Sequence, residues 1–575
     1  MVEWVESGQP GPSDVAEFGG GVTVREVRDG RGRLAVAGDC GADRAQLLAG
    51  LDAVAAGRWS ELTDWSGSYW VVAEQAAGRR FVCGDLAGVR GLWHAREREV
   101  GRVWASDPAR LAARVGASVD LEVLTAHLAV GGQHWPTRSL WAGVQRVPGG
   151  WGLLVEGDRT CLVDVREVRP VEDLMAGAER LGEALRVAVQ RRVRAAGGPV
   201  GADLSGGLDS AAAVLLAAAV GQVHAVTYTD AFTSAEDALY ALRVAEHAGI
   251  EHSIASGGAG ELPFGLLGAA ATTEPAAAVV NVGMDRCYLE PVAGLPVHLT
   301  GHGGDVVLDS SAACWVGQVQ RGEAGQARRA AQDFARLRNV APGPYWRSLK
   351  RAAALTPSAA AGAVARQLRS GGTMPSPAGW AWCRPGPGAG WLSAPGRLAV
   401  ARLLDGPGSE PLHGGFADEV DQWAALRAVG DDARAAIPLY EAMGIRPAHP
   451  FLDNQVVRAA FAIPAPARRG TYTYKPVLAA AVPLPDWLIG RRSKGSFTAQ
   501  RIQGLARHRR ALDELVTASA LITQGLVDVQ AVREALADAA AGRSAAPIAD
   551  LHHLVAACRW LDSSVSAPAS LGAAC

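Results

Sequence analysis

Residues 204–210 read Leu-Ser-Gly-Gly-Leu-Asp-Ser, between an apolar run that opens at Pro199-Val200 and the apolar stretch Ala211 to Val220. That context predicts a strand turning into a helix. The glycines let the backbone approach a ligand closely, and the amides opening the helix form an anion pocket. Ser205 and Ser210 add hydroxyl donors, while Asp209 is suited to a magnesium ion shared with bound phosphates. A nucleotide is the expected occupant, with Leu204, Ser205, Gly206, Gly207, Asp209 and Ser210 as its binding residues. No Gly-Lys-Ser or Gly-Lys-Thr follows the glycines, so this is not a Walker loop. A second segment, Gly301-His302-Gly303-Gly304-Asp305, follows the apolar run Val297 to Thr300. Its Asp305 offers the same metal a second carboxylate, and Thr300 and Gly301 join the nucleotide set. Taken singly, each segment could be a Gly-rich turn with capping side chains; taken together, they describe a site. Only three lysines, Lys350, Lys475 and Lys494, occur among 56 basic residues. The two that lie close together are candidates for presenting a compact charge to phosphate, a task that a planar guanidinium performs differently.

These residues need elements to hold them. From Val22 to about Val168, short apolar runs such as Ser68 to Ala73, Arg80 to Cys83 and Trp151 to Val155 alternate with Gly, Asp and Arg turns, which predicts a sheet-rich domain. Helical periodicity starts near Leu174 and can bring Leu181 and Leu185 onto one face. A boundary near residue 170 follows. Beyond it, strands expected at Val200 to Leu204, Val223 to Tyr228 and Val297 to Thr300 alternate with helices at Ser210 to Val220 and Ala235 to Ala248. This order predicts an α/β fold with a parallel, doubly wound sheet, whose ligands bind beyond the carboxyl ends of the strands. Residues 355 to 415 crowd Pro, Gly and Trp together and read as either a disordered insertion or an ordered loop facing substrate. Helical pattern resumes near Asp418 and continues in pieces to about Leu561, ahead of a tail expected to fray.

Bulk properties narrow the classes. A chain of 575 residues exceeds what one core usually supports, so at least two domains are expected. The formal charge of -2 gives no basic footprint for nucleic acid. No apolar stretch reaches membrane-spanning length, and Met1-Val2-Glu3-Trp4 lacks the pattern of a secretion signal, so a soluble cytoplasmic enzyme is expected. The eight cysteines are scattered without Cys-x-x-Cys spacing and read as reduced, mostly buried residues.

The loop Ser205 to Ser210 resembles the pyrophosphate loop of ATP pyrophosphatases, which cleave ATP between its α and β phosphates. The wider succession resembles the asparagine synthetase superfamily: Glu236-Asp237 ahead of Ala241, Val244 and Ala245, then Glu274-Pro275, Gly301 to Asp305, Pro450-Phe451-Leu452-Asp453, Lys475, and Arg491 to Phe497. Upstream, Gly84 to Trp93 and Val147-Pro148-Gly149-Gly150 are similar to that family's amino-terminal glutaminase domain. The resemblance covers roughly residues 60 to 500, apart from most of 310 to 420. It implies a degenerate glutaminase-like (Ntn-type) domain over 1–168 and an ATP-pyrophosphatase domain, adenine nucleotide α hydrolase-like, over 169–575 with an insertion around 355–415. Family glutaminases use a cysteine at position 2 as nucleophile, whereas Val2 stands here, so ammonia from glutamine is not the expected amine. Asparagine synthetases carry Glu where His302 stands, and β-lactam synthetase carries Tyr. Gly-His-Gly-Gly-Asp beside a degenerate glutaminase domain looks most like the lasso peptide cyclases, which join a peptide's amino terminus to an Asp or Glu side chain. The resemblance implies ATP and magnesium as cofactors, a precursor peptide as substrate, and a leader-binding protein and a leader peptidase as partners. It assigns metal binding to Asp209 and Asp305 and charge stabilisation to Lys494, with Lys475 matching a second family lysine. His302 is suited to take a proton from an α-amino group, because free imidazole and α-amino groups ordinarily titrate near about 6.5 and 7.7–8.0, close enough for transfer without a drastic shift. Three alternatives stay open: a β-lactam synthetase-like ligase, asparagine synthesis from free ammonia, and an inactive nucleotide- or peptide-binding scaffold.

Overall fold

The computed structural model describes residues 3–5 and 23–566, except 99–100, 158, 172, 266–271, 373–376, 410, 413, 492 and 494. The described residues up to Asp164 build two antiparallel sheets. One has six strands in the order Arg159–Asp164, Trp151–Glu156, Arg80–Cys83, Gly67–Gln75, Gly32–Cys40, Val24–Asp29. The other has four: Glu3–Val5, Gly101–Ala105, Leu92–Glu97, Gln145–Val147. Side chains alternate across a strand, so Trp70 and Val72 point toward Trp104 and Leu92 of the smaller sheet, while Tyr69, Val71 and Ala73 join the opposite core. That opposite core includes Leu47, Leu51 and Val54 of the helix Arg44–Ala56, which Asp43 and Gln46 close with a capping box. Helix Pro108–Val115 covers the outer face of the smaller sheet through Leu111 and Ala112. The arrangement is four layers: helix, sheet, sheet, helix.

The remainder is organised around a five-stranded parallel sheet. Its strands are β1 (Val200–Asp203), β2 (Val223–Thr229), β3 (Glu251–Ser256), β4 (His298–Leu299) and β5 (Pro447–Ala448), in the spatial order β3-β2-β1-β4-β5. Register places Val200 opposite Val223 and Gly201 opposite His298. Helices α1 (Leu174–Ala196), α2 (Leu208–Ala218) and α3 (Ala235–Ala248) bury Leu181, Leu185, Val214 and Val244 in the core that also holds Tyr69 and Val71. The antiparallel and parallel halves therefore share one hydrophobic core. The other face of the sheet meets helix Val282–Leu289 and the long helix α4 (Ala417–Glu441).

Residues 355–415 follow neither expectation. They contain helices Pro357–Ser370 and Ala394–Asp405, which pack together through Val364, Leu368, Val400 and Leu404 and onto Ala126, Val130 and Trp135. Proline and glycine crowd only the connection between them, while the flanks are rich in the good helix former alanine. The tryptophans of that connection are anchors: Trp380 Nε1 donates to Asp421 at 2.8 Å, Trp382 Nε1 to the Ala352 carbonyl at 3.0 Å, and Trp391 is buried. The expected fraying falls largely on residues 567–575, outside the described residues. Among the described residues the cysteines are free thiols, and no helix is long and apolar enough to cross a membrane.

Candidate active site

Strands β1 and β4 are neighbours, yet the chain leaves β1 toward β2 and leaves β4 toward the opposite edge. The crevice at their carboxyl ends is a topological switch point, where open α/β sheets bind ligands. Loops 204–210 and 300–305 both open there. The first is anchored to β2, since Leu204 N donates to the Val226 carbonyl at 2.9 Å and Thr227 Oγ1 to the Leu204 carbonyl at 2.5 Å. Ser210 Oγ accepts from Ser205 N at 3.2 Å and meets Ser205 Oγ at 3.1 Å, which curls the loop on itself. Helix α2 begins with Gly207 as its cap, without a side chain to occupy the first amides. Those amides remain available for an anion. Gly206 has φ +73, and a Cβ there would strike the Asp237 carbonyl, so no other residue fits without strain. Arg491 clamps the same turn, donating to the Gly206 carbonyl at 2.7 Å and pairing with Asp237.

Lys475 joins the two loops. Its side chain is 1% exposed, and its ammonium pairs with Asp209 and, at 2.7 Å, with Asp305. Tyr474 adds an O–H donated to Asp305 at 2.8 Å. Burial opposes the charged form of Lys475, but Asp209 and then Asp305 outweigh it and hold the ammonium above the ordinary lysine range. Two carboxylates that share one cation are close enough to share another. Their hard oxygens suit magnesium, which typically takes one or two carboxylates and completes its shell with phosphate and water. Among the described residues no group of three or more His, Cys, Asp or Glu side chains could hold a metal.

His302 stands beside this pair. Its Nε2 lies 3.1 Å from the Val429 carbonyl; a carbonyl only accepts, so Nε2 carries the proton and Nδ1 is left as the basic nitrogen. Thr300 Oγ1 accepts from His302 N at 3.2 Å and meets His449 Nδ1 at 2.8 Å. The two imidazoles are 5.4 Å apart, and burial followed by His302 pushes His449 well below the ordinary imidazole range. Asp432 lies on the same wall, its carboxyl raised by burial despite the opposing pull of His553.

Leu204, Ser205, Gly207, Asp209, Ser210, Thr300, Gly301, His302, Asp305 and Lys475 all line one cavity of about 1290 Å³. Gly206 does not line it and sits under Arg491 instead. Lys494 falls outside the described residues, although Ser493 and Gly495 line the cavity. None of the tryptophans of the 370–396 segment lines it. The segment Pro450 to Asp453 backs the second loop through Leu452 and Phe451, which pack against Gly303, while its Asp453 is buried between Ser66 at 3.0 Å and Arg192 at 3.1 Å, where the two halves meet. Tyr474, His449 and Asp432 are functional candidates that the residue patterns did not single out, and Arg491 was recognised only as part of a segment. Tyr474 and His449 adjoin recognised segments, whereas Asp432 has no local signal beyond its place on a helix.

The family model for asparagine synthase (Asn_synthase) matches residues 180–562. The chain belongs to the asparagine synthase family. Its matched region contains both Gly-rich loops, Lys475 and α4, so the family assignment and the cavity coincide. Membership supports an ATP-dependent amide-forming ligase as the general class. Among solved structures, the Bacillus subtilis glutamine phosphoribosylpyrophosphate amidotransferase complexed with ADP and GMP is similar at 12% identity and a TM-score of 0.17, over 40% of this chain and 48% of that one. This asparagine synthase family chain thus spans about half the length of that protein, and a likeness so slight bears on neither fold nor activity. No curated protein matches the chain.

Proposed function

We propose that this chain is an ATP-dependent macrolactam synthetase of the lasso peptide cyclase type. It adenylates an Asp or Glu side chain of a precursor peptide and closes it onto the peptide's own terminal amine. The observation that carries the reading is the junction of the two acidic loops on Lys475 at a cavity whose wall continues past His302. At about 1290 Å³ the space exceeds the roughly 300–1,000 Å³ of ordinary small-molecule sites, which supports a substrate larger than a nucleotide and an amino acid.

In this reading ATP is consumed, with its phosphates on the loop Ser205 to Ser210 and the amides of α2. Asp209 and Asp305 would hold magnesium, which when bound neutralises phosphate charge. The peptide carboxylate attacks the α-phosphorus and pyrophosphate departs, its charge met by Lys475 and Lys494. The terminal amine then attacks the acyl carbon of the adenylate, His302 Nδ1 accepts its proton, and AMP leaves with the isopeptide bond formed. Water has to be kept out while amine and acyl carbon are held within about 3–3.5 Å. The helix–sheet–sheet–helix arrangement of the first half supports a glutaminase-like domain. A leader-binding protein and a leader peptidase are the proposed partners, by analogy with lasso peptide systems.

The test is incubation with ATP, magnesium and a precursor whose core begins with Gly and carries Asp or Glu a few residues on, together with its processing partners. Expected products are AMP, pyrophosphate and a peptide lighter by one water. Release of ADP would overturn the chemistry, and turnover confined to small amino acids would overturn the substrate class. His302→Ala retaining full ring closure would remove His302 from the mechanism.

A further inference from the structure

Helix α4 presents two faces. Val429, Asp432, Ala433, Ala436 and Tyr440 turn to the cavity. Trp423, Arg427, Asp431 and Arg434 turn to the antiparallel half: Arg166 lies over the Trp423 ring at 5.2 Å, Arg146 Nη1 donates to Asp431 at 2.6 Å, and Arg434 Nη1 donates to the Gly88 carbonyl at 2.7 Å. Arg427 is one helical turn from both Trp423 and Asp431 and is therefore enclosed by these contacts. It is 8% exposed, yet its Nη1 has no hydrogen-bond partner, and among the described residues its guanidinium makes no ion pair. Arg146 Nε and Arg434 Nε are likewise buried without acceptors.

The charges do not balance. Among the described residues, four guanidiniums, of Arg146, Arg166, Arg427 and Arg434, meet three carboxylates, each already engaged: Asp164 by Arg166 at 2.9 Å, Asp431 by Arg146 and Arg434, and Glu274 by Arg434 at 2.6 Å. One positive charge is left over, on Arg427. Burial and then Arg166 and Arg146 push its guanidinium down to about 9, so it still carries its charge at neutral pH. A water molecule could satisfy the orphaned N–H groups but not the charge, and a buried charge without a counter-charge is strongly unfavourable. The interface beside it is close-packed: a Cβ on Gly430 would strike the Ala87 carbonyl, and one on Gly150 would come within 2.5 Å of Arg166 Cγ.

We propose that the interface between α4 and the antiparallel half is a binding site for a compact inorganic anion of the halide class. Arg427 is its principal holder, and Arg146 and Arg434 supply further N–H groups. The anion locks the antiparallel half against the helix whose Val429 carbonyl orients His302, and it is distinct from the phosphates of the cavity. The site does not depend on which amide the enzyme makes.

The test uses the full chain at constant ionic strength in sodium gluconate, sodium chloride or sodium bromide. The wild-type protein should gain about 2 °C in Tm in either halide over gluconate, and R427M, which removes the surplus charge, should show no halide-specific gain. Crystals grown in bromide should give an anomalous peak beside Arg427, a readout that needs no variant. An equal halide gain in R427M, or bromide crystals without that peak, would overturn the proposal.

Discussion

Lys475 holds two carboxylates that repel each other, and this sets what its loss should do. Lys475→Met leaves Asp209 and Asp305 without their common ammonium and removes a point charge from the phosphate end of the cavity. Pyrophosphate release should fall at least about a hundredfold, the size of losing one preorganised charge-stabilising group. Lys475→Arg should not restore it, because a planar fork cannot take the place of a compact ammonium; a variant within threefold of wild type would exclude the assigned role. How far such side chains can be read from the chain alone depends on distance along it. Ser205, Asp209 and Asp305 are legible because glycines flank them and an apolar run leads into each loop. The bridge from Lys475 to Asp209 spans 266 positions, and no local pattern encodes it. The scarcity of lysine pointed to Lys475 without revealing its partner. Asp432 is harder still, since only the folded helix separates its cavity-facing turn from the turn of Asp431 that faces Arg146.

Arg491 and Gly495 together work as a strap over the nucleotide loop. Arg491 binds the Gly206 carbonyl and Asp237, and a Cβ on Gly495 would collide with the Asp237 carboxylate, so the strap lies tightly across the start of α3. Arg491→Ala should raise the apparent KM for ATP about tenfold, the equivalent of roughly 1.4 kcal/mol and ordinary for a hydrogen bond to a charged group. Initial-rate kinetics against ATP would check it, and an unchanged KM would show that the strap does not shape the nucleotide site. Most elements around it follow from periodicity: the expected spans Arg80 to Cys83 and Ala235 to Ala248 coincide with the observed strand and helix. Helix α2 starts two residues before the expected Ser210, because Gly207 serves as its cap. The 355–415 region departs from its expected character because Pro, Gly and Trp are confined to one connection, while the alanine-rich stretches on either side form helices.

The shared core makes the two halves one body even though composition changes near residue 170, and the change in pattern gave no sign of how closely they join. Arg192 shows the join: its guanidinium reaches Asp39 of the antiparallel half at 2.7 Å and the buried Asp453 at 3.1 Å. Behind the cavity lies another buried group whose protonation is tied to folding of the whole molecule. Asp285 is 4% exposed on helix Val282–Leu289, and burial followed by the nearby Asp203 pushes its carboxyl up to about 8. In the unfolded chain the same group titrates near about 3.9. Between those values the folded protein binds a proton that the unfolded chain has released, so stability falls as pH rises through this window. The contribution is fully present below the unfolded value and lost by the time the pH has passed the folded one, with a slope of at most about 1.4 kcal/mol per pH unit. Asp285→Asn keeps the shape and removes the proton, and it should flatten the dependence. Against wild type the variant should melt progressively higher as pH is raised from 5 to 8, with the smallest advantage at the acid end. Calorimetry across that range decides the matter: parallel curves for the two proteins would mean that Asp285 is ionised in the folded state and that another group compensates its charge.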